Sequence, residues 1–135
     1  MEFEAGRTRI RSEDLGDLAY RDNDREHMSL SHKGTYGLAD TLLTFSRETG
    51  ERTTFERAAG DTNYVEGLRS PKITNSVLDA KINLPFNLAG EHRLSFGGQY
   101  FRAELKDQNP GAQANLPESQ RYDETFELDQ WALFV

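Results

Sequence analysis

Cysteine is absent from this 135-residue chain. That excludes a disulfide scaffold, a thiolate zinc site and a cysteine nucleophile. A basic surplus is absent too. Against 16 Lys and Arg stand 23 Asp and Glu, and a formal charge of -7 argues against nucleic acid as a general partner, since nothing is left to neutralise its phosphates. No apolar run approaches the roughly 18 residues of a membrane helix. The opening residues, Met1 to Gly6, lack both the basic start and the apolar stretch of a signal peptide. Helical membrane proteins are therefore out. A membrane β-barrel is not, because its strands alternate in polarity and leave little trace in average hydropathy. Hydrophobic residues make up only 36%, and adding the 11 glycines brings the chain to the low edge of the roughly 45–50% of globular domains. An aromatic content of 10% removes compositional disorder.

What the chain has in abundance is alternation with a period of two, the mark of strands. Between Glu26 and Tyr36 one face carries Met28, Leu30, His32 and Tyr36, and the other Ser29, Ser31, Lys33 and Thr35. Leu43 and Phe45 alternate with Thr44 and Ser46. From Ser76 to Phe86, Leu78, Ala80, Ile82, Leu84 and Phe86 oppose Asp79, Lys81 and Asn83. Leu94, Phe96, Gly98 and Tyr100 follow the same rule, and Phe126, Leu128, Ala132 and Phe134 line one face of the last segment, with Trp131 and Leu133 interrupting it. No window sustains helical spacing. The chain reads as all-β, an antiparallel up-and-down meander of about six long strands.

The connections alternate in length. Gly37 to Asp40 and Asn87 to Gly90 suit tight turns. Long polar links are expected over about Arg11 to Asn23, Thr53 to Ser70 and Asp107 to Arg121, the last broken by Pro110, Gly111 and Pro117. Successive links of a meander fall on opposite ends of the sheet, so one end is trimmed and the other elaborated. Outer-membrane barrels show this asymmetry, with short periplasmic turns and long external loops. Strands of about 11–15 residues exceed the usual 5–6 of soluble strands and suffice to cross a bilayer. These proportions predict part of a transmembrane β-barrel, its apolar face toward lipid and its polar face lining a wet interior. The rival is a soluble all-β binding module with three long recognition loops.

Catalytic and metal chemistry finds no foothold. His27 and His32 fall on opposite faces of one strand and His92 stands alone beside a turn. No phosphate-binding loop or nucleophile elbow occurs, Gly97 and Gly98 lie inside a strand, and Glu13, Asp14, Asp22 and Asp24 read as solvated carboxylates. The expectation is a non-enzyme with no cofactor. Arg7, Arg9 and Arg11 share a face if Glu2 to Ile10 is a strand, and are expected to pair with lumen carboxylates on adjacent strands rather than to meet lipopolysaccharide phosphate.

The stretch from Ile73 to Phe86, followed by Gly90 to Tyr100, resembles TonB-dependent outer-membrane receptors, and the ferric-catecholate and colicin I receptors among them. Asp129 to Val135 is similar to a strand start of that family, and Asp24 to His32 fits a preceding strand. The resemblance covers roughly residues 24 to 135. It implies a 22-stranded barrel with an N-terminal plug that imports ferric siderophores, with energy passed through TonB. No plug, TonB-box segment or aromatic C-terminal signal strand is found. Residues 1 to 135 are therefore expected to be a segment of such a receptor's barrel, in the bacterial outer membrane of the parent protein. Its partners would be outer-membrane lipid and lipopolysaccharide, with TonB reached only through the missing plug. In the link from Thr53 to Ser70, Phe55, Arg57, Tyr64 and Arg69 combine rings and guanidinium groups suited to a planar, anionic ferric-catecholate siderophore.

Overall fold

Alternating side chains and cross-strand pairs build one open antiparallel sheet in the computed structural model, which describes residues 1–14, 18–109, 111–121 and 123–135. Six long strands, β1 (Glu2–Asp14), β2 (Ala19–Tyr36), β3 (Ala39–Glu56), β5 (Pro71–Asn87), β6 (Glu91–Gln108) and β7 (Asp123–Phe134), lie side by side in chain order. A two-residue strand, β4 (Val65–Glu66), pairs with β3 beyond the start of β5. A single 3₁₀ turn covers Glu118–Gln120. The chain is all-β, as its alternation predicts.

Three expectations need correction. The segment from Arg11 to Asn23 is no long link. β1 runs on to Asp14 and β2 begins at Ala19, with Arg11 opposite Asp22 and Glu13 opposite Tyr20. Polar side chains suggested a loop there, but they are matched in charge across the ladder and stabilise it. Residues 15–17 of that expected link lie outside the described residues, as does Pro110 of the third link. The strands are also longer than expected: β2, β3 and β6 have 18 residues and β5 has 17. Eighteen residues span about 60 Å, twice the roughly 30 Å of a hydrocarbon core. Finally, Phe55 belongs to β3, not to the loop after it.

The two short turns fall at one end of the sheet, with Gly37 at φ 64° supplying the left-handed position between β2 and β3. The links after β3 and after β6 fall at the other end, as expected, whereas the β1–β2 connection at that end is not the long link the alternation called for.

Register divides the sheet into two faces, here A and B. On face A one row of direct partners runs Phe3, Leu30, Phe45, Leu78, Tyr100, Trp131, one large apolar or aromatic residue from every long strand. Toward the short turns, face A stays apolar. His32, Leu43, Ala80, Gly98 and Leu133 form the next row, then Thr41, Ile82 and Phe96, then Leu84 with Leu94 and Phe86 with His92. Toward the long loops it turns charged over three rows: first Ala5, Met28 and Ser76 beside Arg47, Arg102 and Asp129, then Thr49 and Thr74 beside Arg7, Glu26, Glu104 and Glu127, then Arg9, Asp24, Glu51, Lys72 and Lys106. In the last strand this places Trp131 and Leu133, which seemed to interrupt the pattern, on face A. The row Phe126, Leu128, Ala132 and Phe134 belongs to face B.

Face B reverses the scheme. Opposite the apolar band it carries Ser31, Lys33, Thr44, Asp79, Lys81, Asn83 and Gln99. Hydrogen bonds join Ser31 to Thr44 at 3.3 Å, Gln99 to Asp79 at 2.7 Å and Ser95 to Asn83 at 2.7 Å. Gly97 lies on this face under the Phe134 ring. A Cβ there would run into the ring and the Ala80 carbonyl oxygen, so the position needs glycine for close approach.

Contacts between the elements join sheet neighbours only. Among the described residues no second layer covers either face and no hydrophobic side chain is buried. Leu78 is 41% exposed, Leu94 42% and Trp131 75%. A contiguous apolar band of this size in water is an association surface and requires something to cover it.

Candidate functional site

At the long-loop end of face A, the pairing of Tyr20 with Phe55 across β2 and β3 stacks their rings, with centroids 4.7 Å apart and planes 15° from parallel. Beyond Phe55 the chain leaves β3 and folds on itself. The Arg57 amide donates to the Leu18 carbonyl at 2.9 Å, a turn closes from Ala58 to Asp61, and Asp61 accepts from the Asn63 amide at 3.1 Å. This brings Tyr64 edge-on to Tyr20, with centroids 4.8 Å apart. β4 then pins the returning chain against β3, with Glu66 opposite Phe55.

Two guanidinium groups flank the three rings. Arg11 lies 4.4 Å from the Tyr20 centroid and Arg57 5.2 Å from that of Tyr64. Arg11 is held in place by a forked pair of bonds to Asp22, at 2.8 and 3.0 Å. The arrangement presents aromatic faces and cationic edges together, the chemistry that recognises a flat anionic aromatic ligand.

Of the four residues expected here, Phe55, Arg57 and Tyr64 do come together. Arg69 does not. Its guanidinium donates to Asp107 Oδ2 at 2.7 Å, at the end of β6, and lies 3.9 Å from Glu124 on β7. The next loop closes over it. Asn109 donates to Glu66 at 2.9 Å and to the Gly67 carbonyl at 2.8 Å, and Gln113 donates to the Leu68 carbonyl at 2.6 Å. Ser70, Asp107, Asn109 and Gln113 are the buried residues among those described, all polar. Arg69 thus works as part of a latch between the two long loops. Asp107 Oδ1 is buried there without a hydrogen-bond partner.

Arg11 and Tyr20 complete the cluster but were not expected in it, because they stood in a segment read as a loop. A signal was present. Arg7, Arg9 and Arg11 alternate in step with Asp22 and Asp24, the spacing of a charge-matched hairpin. In the structure Arg7 and Arg9 share Asp24, at 2.9 and 2.5 Å. The pairing expected for this ladder is present, but on face A, which also carries the apolar band, rather than on the polar face opposite it. Beyond the band, these guanidinium groups hold the Asp24 carboxyl well below the usual carboxylate range, chiefly by hydrogen bonds from Arg7 and then Arg9. Arg11 lowers Asp22 in the same way.

His27 and His32 lie on opposite faces. His92 bonds to the Leu88 carbonyl at 2.8 Å and stacks on Phe86, a structural role at the turn. No family model, curated protein or solved structure matches the chain.

Proposed function

We propose that the chain is a segment of the wall of an outer-membrane β-barrel of the TonB-dependent receptor type, with face A toward lipid, face B toward the lumen and the long loops outside. The observation that carries this reading is the row from Phe3 to Trp131, beyond which face A turns charged directly on β3, β6 and β7 (Arg47, Arg102, Asp129), one row later on β1 and β2 (Arg7, Glu26), and on β5 through Ser76 and Thr74 to Lys72. A soluble sheet would need a second layer over the band, and none of the described elements supplies one. A tilted strand crosses a bilayer in about 9–11 residues, and Leu78 to Phe86 meets the lower figure with nine. Tyr100 and Trp131 would sit at the outer interface and Phe86 and His92 at the inner one, the places where barrels carry aromatic girdles. The charged half of each strand would then stand above the hydrocarbon.

In this reading the cluster of Tyr20, Phe55 and Tyr64, with Arg11 and Arg57, stands above the hydrocarbon on the outward side of the wall and takes part there in the first capture of a ferric siderophore of catecholate type. The protein acts as a receptor and carries out no catalysis. The test is a titration of a ferric-catecholate complex into the chain in detergent micelles, followed by quenching of intrinsic fluorescence. Saturable binding that Tyr20→Ala and Phe55→Ala each weaken supports the substrate assignment. Absence of binding removes that assignment and leaves the wall reading to the lipid measurements below.

A further inference from the structure

On the charged half of face A the cations meet carboxylates: Arg7 and Arg9 on Asp24, Arg11 on Asp22, Lys72 on Glu51, Arg102 on Glu127 and Lys106 on Glu104. Arg47 of β3 does not. Among the described residues its guanidinium makes no hydrogen bond or ion pair, and it meets Glu104 only at longer range. It stands in the first row beyond Phe45, between Met28 and Ser76. In the next row Thr49 and Thr74 face each other across β3 and β5, and Lys72 follows one row further. Arg47, Thr49, Thr74 and Lys72, with Met28 and Glu26, line a shallow hollow of about 390 Å³. The hydroxyls of Thr49 and Thr74 make no side-chain hydrogen bond within the described residues. The Glu26 carboxylate is drawn away to Arg7, at 3.5 Å.

We propose that this hollow holds the phosphate of an anionic lipid headgroup, with the Arg47 guanidinium and the Thr49 and Thr74 hydroxyls donating to it and the Lys72 ammonium above. The level fits. Two residues of a strand rise about 6.8 Å, or about 5 Å along the bilayer normal at a tilt of about 40°. With the row from Phe3 to Trp131 at the edge of the hydrocarbon, Arg47 stands about 5 Å above it and the threonines about 10 Å. The headgroup region is about 5–8 Å deep on each side, so its phosphates lie between guanidinium and hydroxyls. The chemistry fits as well. A guanidinium presents donors in a fork that matches phosphate, and an unpaired one beside an apolar row lacks a counter-ion. Directly below lie Leu30, Phe45 and Leu78, over which the acyl chains of the same lipid would run. A free phosphate ion has no use for that surface. The level rests on the wall reading, while the open cation and its two hydroxyls do not.

The test is native mass spectrometry of the chain folded in detergent micelles, titrated with phosphatidylglycerol, with a neutral glycolipid of the same acyl chains, or with inorganic phosphate. Phosphatidylglycerol should be retained saturably, and the other two should bind at least about tenfold more weakly. Arg47→Gln should lower the affinity for phosphatidylglycerol about tenfold, the worth of a hydrogen bond to a charged group. Lys72→Gln should lower it about fivefold. Lys81→Gln, on face B, should leave it unchanged. Arg47 gives up no bond, so its variant should keep the circular dichroism of the parent. Equal retention of glycolipid and phosphatidylglycerol, or an affinity indifferent to Arg47→Gln, overturns the proposal. Inorganic phosphate held as tightly as the lipid overturns it too, since the hollow would then be an ion site. If Trp131 meets lipid while any of these results holds, the wall reading stands and the headgroup site falls. Arg47-dependent retention of phosphatidylglycerol with Trp131 in water keeps the site and removes the wall reading.

Discussion

The hydroxyl of Tyr100 donates a 2.6 Å hydrogen bond to Asp129, joining the last large residue of the apolar band on β6 to the first carboxylate above it on β7. A tyrosine with its ring in the band and its hydroxyl on a carboxylate marks an interface between apolar and polar surroundings. The bond fixes the level of that interface.

A charge placed in the band should therefore be costly, and one at a similar height on the other face should not. Ile82→Arg is expected to reduce the stability of the chain folded in bilayers by about 2–4 kcal/mol. Asn83→Arg, the neighbouring position on face B, should change it by no more than about 1 kcal/mol, the worth of its hydrogen bond from Ser95. Urea unfolding in liposomes measures both, and equal effects would mean that the faces are not distinguished by lipid.

The loop latch should be separable from the aromatic cluster. Gln113→Ala leaves the Leu68 carbonyl without its partner and should cost about 1 kcal/mol. Arg69→Ala leaves Asp107 buried without its cation. Both should speed limited proteolysis within 57–70 and 109–121. Their bonds to Asp107 and to the Leu68 carbonyl lie in the latch, so ferric-catecholate binding should weaken less than in the ring variants. Unchanged cleavage would show that the loops hold together by other means.

Tyr20 stands between two rings and a guanidinium, and Tyr20→Ala removes all three contacts at once. At about 0.5–1 kcal/mol for an exposed cation–π contact and a similar amount for each ring pair, the cluster loses about 1.5–3 kcal/mol of its own order, and ligand affinity should fall at least about tenfold. Tyr20→Phe should retain most of it. A Tyr20→Ala variant with full affinity would place the ligand elsewhere.

Acid should loosen the first hairpin before the centre of the sheet. Asp22 and Asp24 titrate below their ordinary values when folded. The stability they contribute is present above the ordinary carboxylate pKa and is lost as pH falls through the lowered one. Hydrogen-exchange protection of β1, corrected for intrinsic rates, should drop between about pH 4 and pH 2, with the amides of β5 paired to β6 falling less. Uniform loss across the sheet would contradict this.

Much of the architecture was legible because alternation is a local signal. Leu78 to Phe86 and Leu94 to Tyr100 show their face without any partner. The ends of the strands were less legible. From Arg11 to Asn23 the residues are polar on both faces, and only pairing with a neighbour shows that the backbone is extended. Trp131 and Leu133 were ambiguous for the opposite reason, since β7 is apolar on both faces and register alone assigns them. Arg69 could not be separated from Arg57 in advance, because the choice between ring and carboxylate is made by Asp107, a residue 38 positions away.

Trp131 is the sole tryptophan, and it ends the boundary row. Its fluorescence in liposomes of brominated lipid therefore tests directly whether face A meets hydrocarbon. The account predicts strong quenching, greatest with bromine near the headgroup end of the acyl chain and weaker with bromine at the bilayer centre. Emission typical of water and unaffected by bromine at any depth would contradict it.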